Sequence, residues 1–213
     1  MLLQYLEKLS PERQEIFREL KQFSKNFVLA GGTAIMLQIG HRMSYDFDCF
    51  SVNSLPSNLL RKIKKVFGLF ITPRIRTSEQ ITFPTKDNIE VTFVYSPYKS
   101  LKKPMLTDSM SLFHLDDLAA NKAYTIGRRG VWRDYVDLFF FLKWELYSID
   151  KINALAREKF KGEFNEKLFL EQLVYFDDLI IVPIDFIKES YQEKEIKEFL
   201  EKQVEEYIQK RLR

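Results

Sequence analysis

The stretch from Phe27 to Phe50, FVLAGGTAIMLQIGHRMSYDFDCF, restricts this chain more than any other part of it. It opens on a short apolar run, Phe27-Val28-Leu29-Ala30, that fits a buried strand. Gly31 and Gly32 follow, and Thr33 to Ile39 reads as a helix stopped by Gly40. Such a turn leaves the first backbone N–H groups of the helix without intrahelical acceptors, and the helix dipole favours an anion there. Glycine matters because a Cβ would hold a phosphate away from the backbone. The next strand, Tyr45 to Phe50, puts Asp46, Asp48 and Phe50 on one side and Phe47 and Cys49 on the other. Carboxylates at i and i+2 leave one face together and repel each other, so a structure that keeps both usually bridges them with a divalent cation. A phosphate cradle facing an acidic metal site is what metal-assisted phosphoryl or nucleotidyl transfer requires.

The elements around this stretch are legible from their periodicity. Ser10-Pro11-Glu12 is a strong helix start, and the helix runs to about Phe23 with Ile16, Phe17, Leu20 and Phe23 on one face. Leu55-Pro56-Ser57 opens a basic amphipathic helix to about Phe67. Strands are expected near Leu69–Arg76, Gln80–Phe83 and Ile89–Tyr95, the last two joined by a hairpin turn at Lys86-Asp87-Asn88. From His114 onward the texture is helical: Leu115–Ile126, Val131–Glu145, Ile149–Phe160, Glu166–Tyr175 and Tyr191–Leu212. The expected organisation is an α/β half, residues 1–107, and a helical half, residues 108–213.

Composition excludes several classes. Of 213 residues, 46% are hydrophobic and 30% charged, the balance of a globular chain and not of a disordered one. No apolar run approaches the roughly 18 to 20 residues a membrane span needs, and the first residues, MLLQYLEKLSPERQ, turn polar too soon for a secretion signal. A single Cys excludes an internal disulfide framework and a cysteine-built zinc site, and two His residues make a His-rich metal site a poor reading. No membrane association and a cytoplasmic location are expected by elimination. Net charge is mild, 33 − 30 = +3, but its distribution is uneven. Basic residues gather at Arg61-Lys62-Ile63-Lys64-Lys65, at Arg74 and Arg76, at Lys99, Lys102 and Lys103, and at Arg128, Arg129 and Arg133. If these converge they can hold a polyanion such as nucleic acid; otherwise they are solvating groups on exposed faces.

The residues Gly31-Gly32-Thr33-Ala34, Gly40-His41-Arg42, Ser44 and Asp46-Phe47-Asp48 follow the pattern hG[GS]…DhD, where h is hydrophobic. That pattern is similar to the one of the nucleotidyltransferase superfamily related to DNA polymerase beta, and its fuller form here closely resembles the AbiEii/AbiGii family of nucleotidyltransferase toxins. A second block, Asp116-Asp117-Leu118-Ala119-Ala120-Asn121-Lys122, then Arg128-Arg129-Gly130 and Arg133-Asp134-Tyr135-Val136-Asp137-Leu138, is similar to that family's DLAAxK…R…RDxxDL run. The resemblance spans about residues 25–145. It implies an α+β fold, a polymerase-beta-like core of a small mixed sheet with flanking helices, followed by a C-terminal helical bundle that completes the active site.

The resemblance also implies roles. Gly31, Gly32 and Thr33 would hold the nucleotide's phosphates, with Arg42 as a further phosphate contact, and Asp46 and Asp48 would bind Mg²⁺. Lys122 would contact phosphate, and Asp134 and Asp137 would complete the site. Members of the family are toxins of type IV toxin–antitoxin and abortive-infection systems. This implies an NTP substrate, an RNA acceptor such as the 3′ end of tRNA, and a cognate antitoxin protein, often a winged-helix repressor. One position departs from the superfamily pattern: Thr92 stands where a third carboxylate is expected, and Glu90, two residues earlier on the same face, is the available substitute. Three functions therefore stay open: transfer to RNA, a weakly active nucleotide- or RNA-binding module, and transfer to a protein side chain. Other residues have plainer readings. Cys49 is a core thiol, His41 a helix-end capping group, His114 a helix-entry residue, and Phe139-Phe140-Phe141 core packing.

Overall fold

Ser10 accepts a hydrogen bond from the Arg13 amide and so starts α1 (Pro11–Glu19), which tightens into a 3₁₀ turn over Leu20–Phe23. In the computed structural model, which describes residues 3–212, the chain divides into two units, residues 1–114 and residues 115–213. The first continues with β1 (Val28–Ala30), α2 (Gly31–Ile39), β2 (Phe47–Ser51), α3 (Leu59–Phe67), β3 (Ile75–Arg76), β4 (Gln80–Pro84) and β5 (Glu90–Tyr95). Five strands form one mixed sheet in the order β1-β2-β5-β4-β3. Only β2 and β5 are parallel, which obliges the intervening chain to cross over, and α3 with the β3–β4 pair makes that crossing.

One face of the sheet is apolar. Phe47, Cys49, Val91 and Phe93 point into it, and Phe93 lies 4.8 Å from the rings of both Phe23 and Phe27. Phe67 of α3 reaches Phe83 at 5.5 Å, so α3 covers this same face. The other face carries Asp48, Thr92 and Thr82 side by side: Asp48 pairs with Thr92 in the parallel ladder, Thr92 with Thr82 in the antiparallel one. A period of two has sorted apolar side chains to one side and these polar ones to the other.

Several boundaries differ from the periodicity reading, three of them for a plain physical reason. β2 begins at Phe47, not Tyr45, because the Asp46 carbonyl accepts the Thr33 hydroxyl and is not free for a ladder. The strand expected over Leu69–Arg76 is reduced to Ile75–Arg76: Pro73 has no N–H to give, and Leu69 and Phe70 stand exposed. Residues 111–113, expected with the helical half, hydrogen-bond to β1 instead, through Leu29 N–H to Ser111 O and Phe113 N–H to Leu29 O.

The second unit consists of α4 (Leu115–Ile126), α5 (Trp132–Lys143), α6 (Ile149–Phe160), α7 (Glu166–Leu173) and α8 (Glu193–Leu212). Its core is α5, where Phe139, Phe140 and Phe141 are all buried, Phe139 against Tyr191 and Phe199 and Phe140 against Trp144. Among the described residues no helix is long and apolar enough to cross a membrane. Tyr135, fully buried, donates to the Gln172 carbonyl at 2.9 Å, with the Tyr175 carbonyl 3.1 Å away. Burial, and then the charges of Asp178 and Asp134, push this phenol from 10.0 up to about 12. The unfolded chain releases that proton first, so Tyr135 contributes stability below pH 10 that is lost as pH rises from about 10 to about 12, on the order of 2 kcal/mol. Urea midpoints measured across that range should fall, and Tyr135→Phe should flatten the fall although it lowers the plateau.

Candidate active site

The turn between β1 and α2 is built to bring backbone close to a carboxylate. Ala30 pairs with Asp48 across the antiparallel ladder, so the residue after Ala30 leaves the sheet beside that side chain. Gly31 turns there at φ +66, a left-handed conformation that other residues adopt at a cost. A Cβ at Gly31 would overlap the Asp48 carboxylate, lying 3.0 Å from its Cγ. At Gly32 it would meet Arg42 Nη2 at 2.8 Å and Ser44 Oγ at 2.9 Å. Two glycines thus let the start of α2 nestle between Asp48 on one side and Arg42 on the other. Its N-cap residue, Ala30, has no polar side chain to cap that helix start. Gly31→Ala should therefore lose activity further than stability. The left-handed φ costs about 1–2 kcal/mol, while moving the Asp48 carboxylate aside misplaces it by about an ångström and lowers kcat roughly 100-fold. Melting curves beside steady-state rates measure the two separately.

Thr33 has its side chain engaged within the fold. Its buried hydroxyl donates to the Asp46 carbonyl and shares a second hydrogen bond, 3.0 Å, with the Ser44 hydroxyl. It ties α2 to the segment that carries the aspartates and leaves only its backbone N–H to face a ligand. Arg42 is 3% exposed, with Nη1 donating to the Met43 carbonyl at 2.9 Å. It places a fixed positive charge against the glycine turn. His41, just past the end of α2, is fully buried. Cys49 points into the core behind the aspartates, and burial, reinforced by the Asp48 charge, pushes its thiol well up; it is no nucleophile.

Asp46 and Asp48 are both half-buried. Among the described residues no group of three His, Cys, Asp or Glu side chains forms a ready metal cage. Two carboxylates are nonetheless a sufficient protein contribution for Mg²⁺, a hard cation that takes its remaining ligands from substrate phosphates and water. The donor set fits that ion and not a soft one. Thr92 occupies the position across from Asp48, its hydroxyl 3.0 Å from that of Thr82, which in turn accepts from Gln80 at 2.9 Å. Glu90 lies one pleat further along β5. Its carboxylate is 3.2 Å from Arg74, both groups partly exposed, and Arg74 also donates to Asn88.

The second block of residues named from the sequence also comes together, within the helical unit. Lys122 of α4 is held between Asp134 and Asp137 of α5, in contact with the former and 2.6 Å from Asp137 Oδ2. All three are buried, and Arg129 approaches the other Asp134 oxygen at 3.5 Å. Asp117, on the far side of α4, makes a second buried ion pair with Lys159 of α6 at 2.7 Å, and Asp116 accepts from Tyr147 at 2.7 Å. Burial pushes the Lys159 ammonium down from its usual range. Asp117 and Lys122, about 140° apart around α4, thus bind α4 to two different helices. Sequence reasoning missed Lys159, although a lysine in the apolar stripe of Ile152, Leu155 and Ala156 was a readable signal.

Comparison with known proteins gives this arrangement a family. The model of the family described as "Nucleotidyl transferase AbiEii toxin, Type IV TA system" matches residues 16–211. An uncharacterized protein of Aquifex aeolicus (strain VF5), aq_aa25, is 27% identical over 206 residues, 92% of this chain and 100% of that one. The crystal structure of a candidate nucleotidyltransferase from Helicobacter pylori superposes with a TM-score of 0.58 at 20% identity, covering 92% of this chain and 95% of that one. MenT4, the nucleotidyltransferase toxin Rv2826c of Mycobacterium tuberculosis H37Rv, gives 0.59 at 13% identity, covering 91% and 80%. Each of these two structures is similar to this chain in fold.

Proposed function

The chain belongs to the AbiEii family of nucleotidyl transferase toxins of type IV toxin–antitoxin systems, and from that premise we propose Mg²⁺-dependent transfer of a nucleotide from an NTP to a hydroxyl on RNA, the 3′ end of tRNA being the favoured acceptor. The acceptor oxygen attacks the α-phosphorus, the bond from that phosphorus to the bridging oxygen of the β-phosphate breaks, and pyrophosphate leaves. The acceptor proton passes to a carboxylate or to water. The observation that carries this reading is the adjacency of the Gly31 backbone and the Asp48 carboxylate. Phosphates seated on the start of α2 lie beside the aspartates. When bound there, Mg²⁺ neutralises the triphosphate and polarises the reacting phosphorus. The amides of Gly31 to Thr33 seat phosphate, and Arg42 adds positive charge behind them. Asp46 and Asp48 hold the ion, and Thr33 keeps Asp46 in place. Membership in a toxin–antitoxin family entails an antitoxin, which we propose is a separate protein.

Incubation with each NTP radiolabelled at its α-phosphate, Mg²⁺ and total tRNA tests this. Label should appear on RNA and vanish in Asp46→Ala; label on protein would overturn the RNA acceptor, and no label with any NTP would overturn transfer. The same assay decides the third acid. With Glu90 held by Arg74 and Thr92 opposite Asp48, Glu90→Gln should lower kcat by less than about tenfold, below the usual 10²- to 10⁴-fold worth of a general base. A larger loss would make Glu90 the proton acceptor.

A further inference from the structure

Of the basic clusters in the sequence, one is drawn into a concave surface. Arg61, Lys64 and Lys65 lie at i, i+3 and i+4 and share a face of α3, while Leu59 and Ile63 turn to the core. Arg76 of β3 stands opposite them, and the four cations line a groove of about 770 Å³ with Ser57, Leu60, Gly68 and Leu69; among the described residues no carboxylate lines it. Neighbouring cations are employed elsewhere: Arg74 pairs with Glu90, and Lys62 donates to the Gln22 carbonyl and sits 4.8 Å over the Phe23 ring. Leu69 in that lining is 76% exposed, and Phe70, the next residue along the chain, is 99% exposed. A fully solvated phenyl ring next to four uncompensated positive charges gains nothing for the fold.

We propose that this groove binds single-stranded RNA, its cations tracking the phosphates and Phe70 stacking on a base. The proposal deepens the acceptor reading above and rests on it. Charge complementarity selects a polyanion. The concave shape and the free aromatic ring select an unpaired strand over a duplex or a flat anionic membrane, because every base has a face to stack once it is unpaired. Position sets its role. Arg76 pairs with Ile81 and so lies on the α3 side of the sheet, while Asp48 lies on the other side and three strands away, about 14 Å. The groove therefore grips the unpaired strand that leads to the reacting end, around the β3 edge, and leaves that end to the aspartates.

The test is fluorescence anisotropy of the full-length protein with a short labelled single-stranded RNA, without NTP. Affinity should fall with salt at a log–log slope of about −2 to −3. Arg61→Ala/Lys64→Ala/Lys65→Ala should weaken binding at least about tenfold and flatten the slope by about 2, while Lys167→Ala/Lys202→Ala, at exposed positions of the helical unit, should change neither. Phe70→Ala should cost about fivefold or more with the slope unchanged. In the transfer assay the triple variant should raise KM for RNA and leave kcat and KM for NTP as they were. RNA affinity unaffected by the triple variant, equal competition by duplex RNA, or tighter binding to phosphatidylserine vesicles than to RNA would each overturn the proposal. Asp48→Asn separates the two readings: it removes transfer and should leave RNA binding intact. Label found on protein while the groove still binds RNA would overturn the acceptor reading alone.

Discussion

Asp48→Asn should lower kcat by about three orders of magnitude or more in a protein that melts close to its parent. The rate follows from electrostatics: a carboxylate that holds a metal against a triphosphate stabilises charge by several kcal/mol, and each 1.36 kcal/mol is about a factor of ten. The small effect on melting follows from position. Asp48 is half-buried at the end of a ladder whose strength lies in its backbone and in Phe47 and Cys49 behind it, and the amide keeps the side chain's shape. Relief of repulsion from Asp46 offsets part of whatever hydrogen bonding is lost. Single-turnover rates with saturating NTP, alongside calorimetric melting, give both numbers. Activity retained within about tenfold would remove Asp48 from the centre of the reaction.

Lys122→Ala should act in the opposite way, first on stability. It removes the ammonium that contacts Asp134 and Asp137 inside the helical unit, where the exposed Arg129 stands 3.5 Å from one Asp134 oxygen. Breaking a buried ion pair from one side costs about 3–5 kcal/mol, because the remaining charge is left without compensation. In a chain of this length that lowers Tm by roughly 10–15 °C. Adding Asp137→Asn to Lys122→Ala should recover part of the loss, since the excess buried charge is halved; a further decline would refute this account. Sequence resemblance gave Lys122 to phosphate. The geometry gives its ammonium to two aspartates, and a double-mutant cycle on transfer and on stability shows whether it serves both.

Local signals carried far in this chain. Ser10-Pro11 started α1 where a cap and a pre-set φ demand it, and Leu115–Ile126 and Ile149–Phe160 began and ended where their apolar stripes did. Where the reading slipped, the cause was not local. Strand β2 starts two residues late because of a hydroxyl on α2, and β3 shrinks to two residues because Pro73 cannot pair. The four basic residues of the α3 groove looked no different in sequence from Lys62 and Arg74. Only packing separates a lysine lying on Phe23 and an arginine paired with Glu90 from cations that face an open groove.

By itself the sequence determined the order of elements and the glycine turn that opens α2, because periodicity and backbone freedom are properties of neighbouring residues. Tertiary structure alone decided which charges cancel. Lys122 goes to Asp134 and Asp137, Lys159 to Asp117 and Glu90 to Arg74, while Thr92 comes to stand beside Asp48. Those outcomes depend on strand register and helix packing, and an ion pair forms wherever burial leaves a charge no cheaper neighbour, however far away its partner lies in the chain.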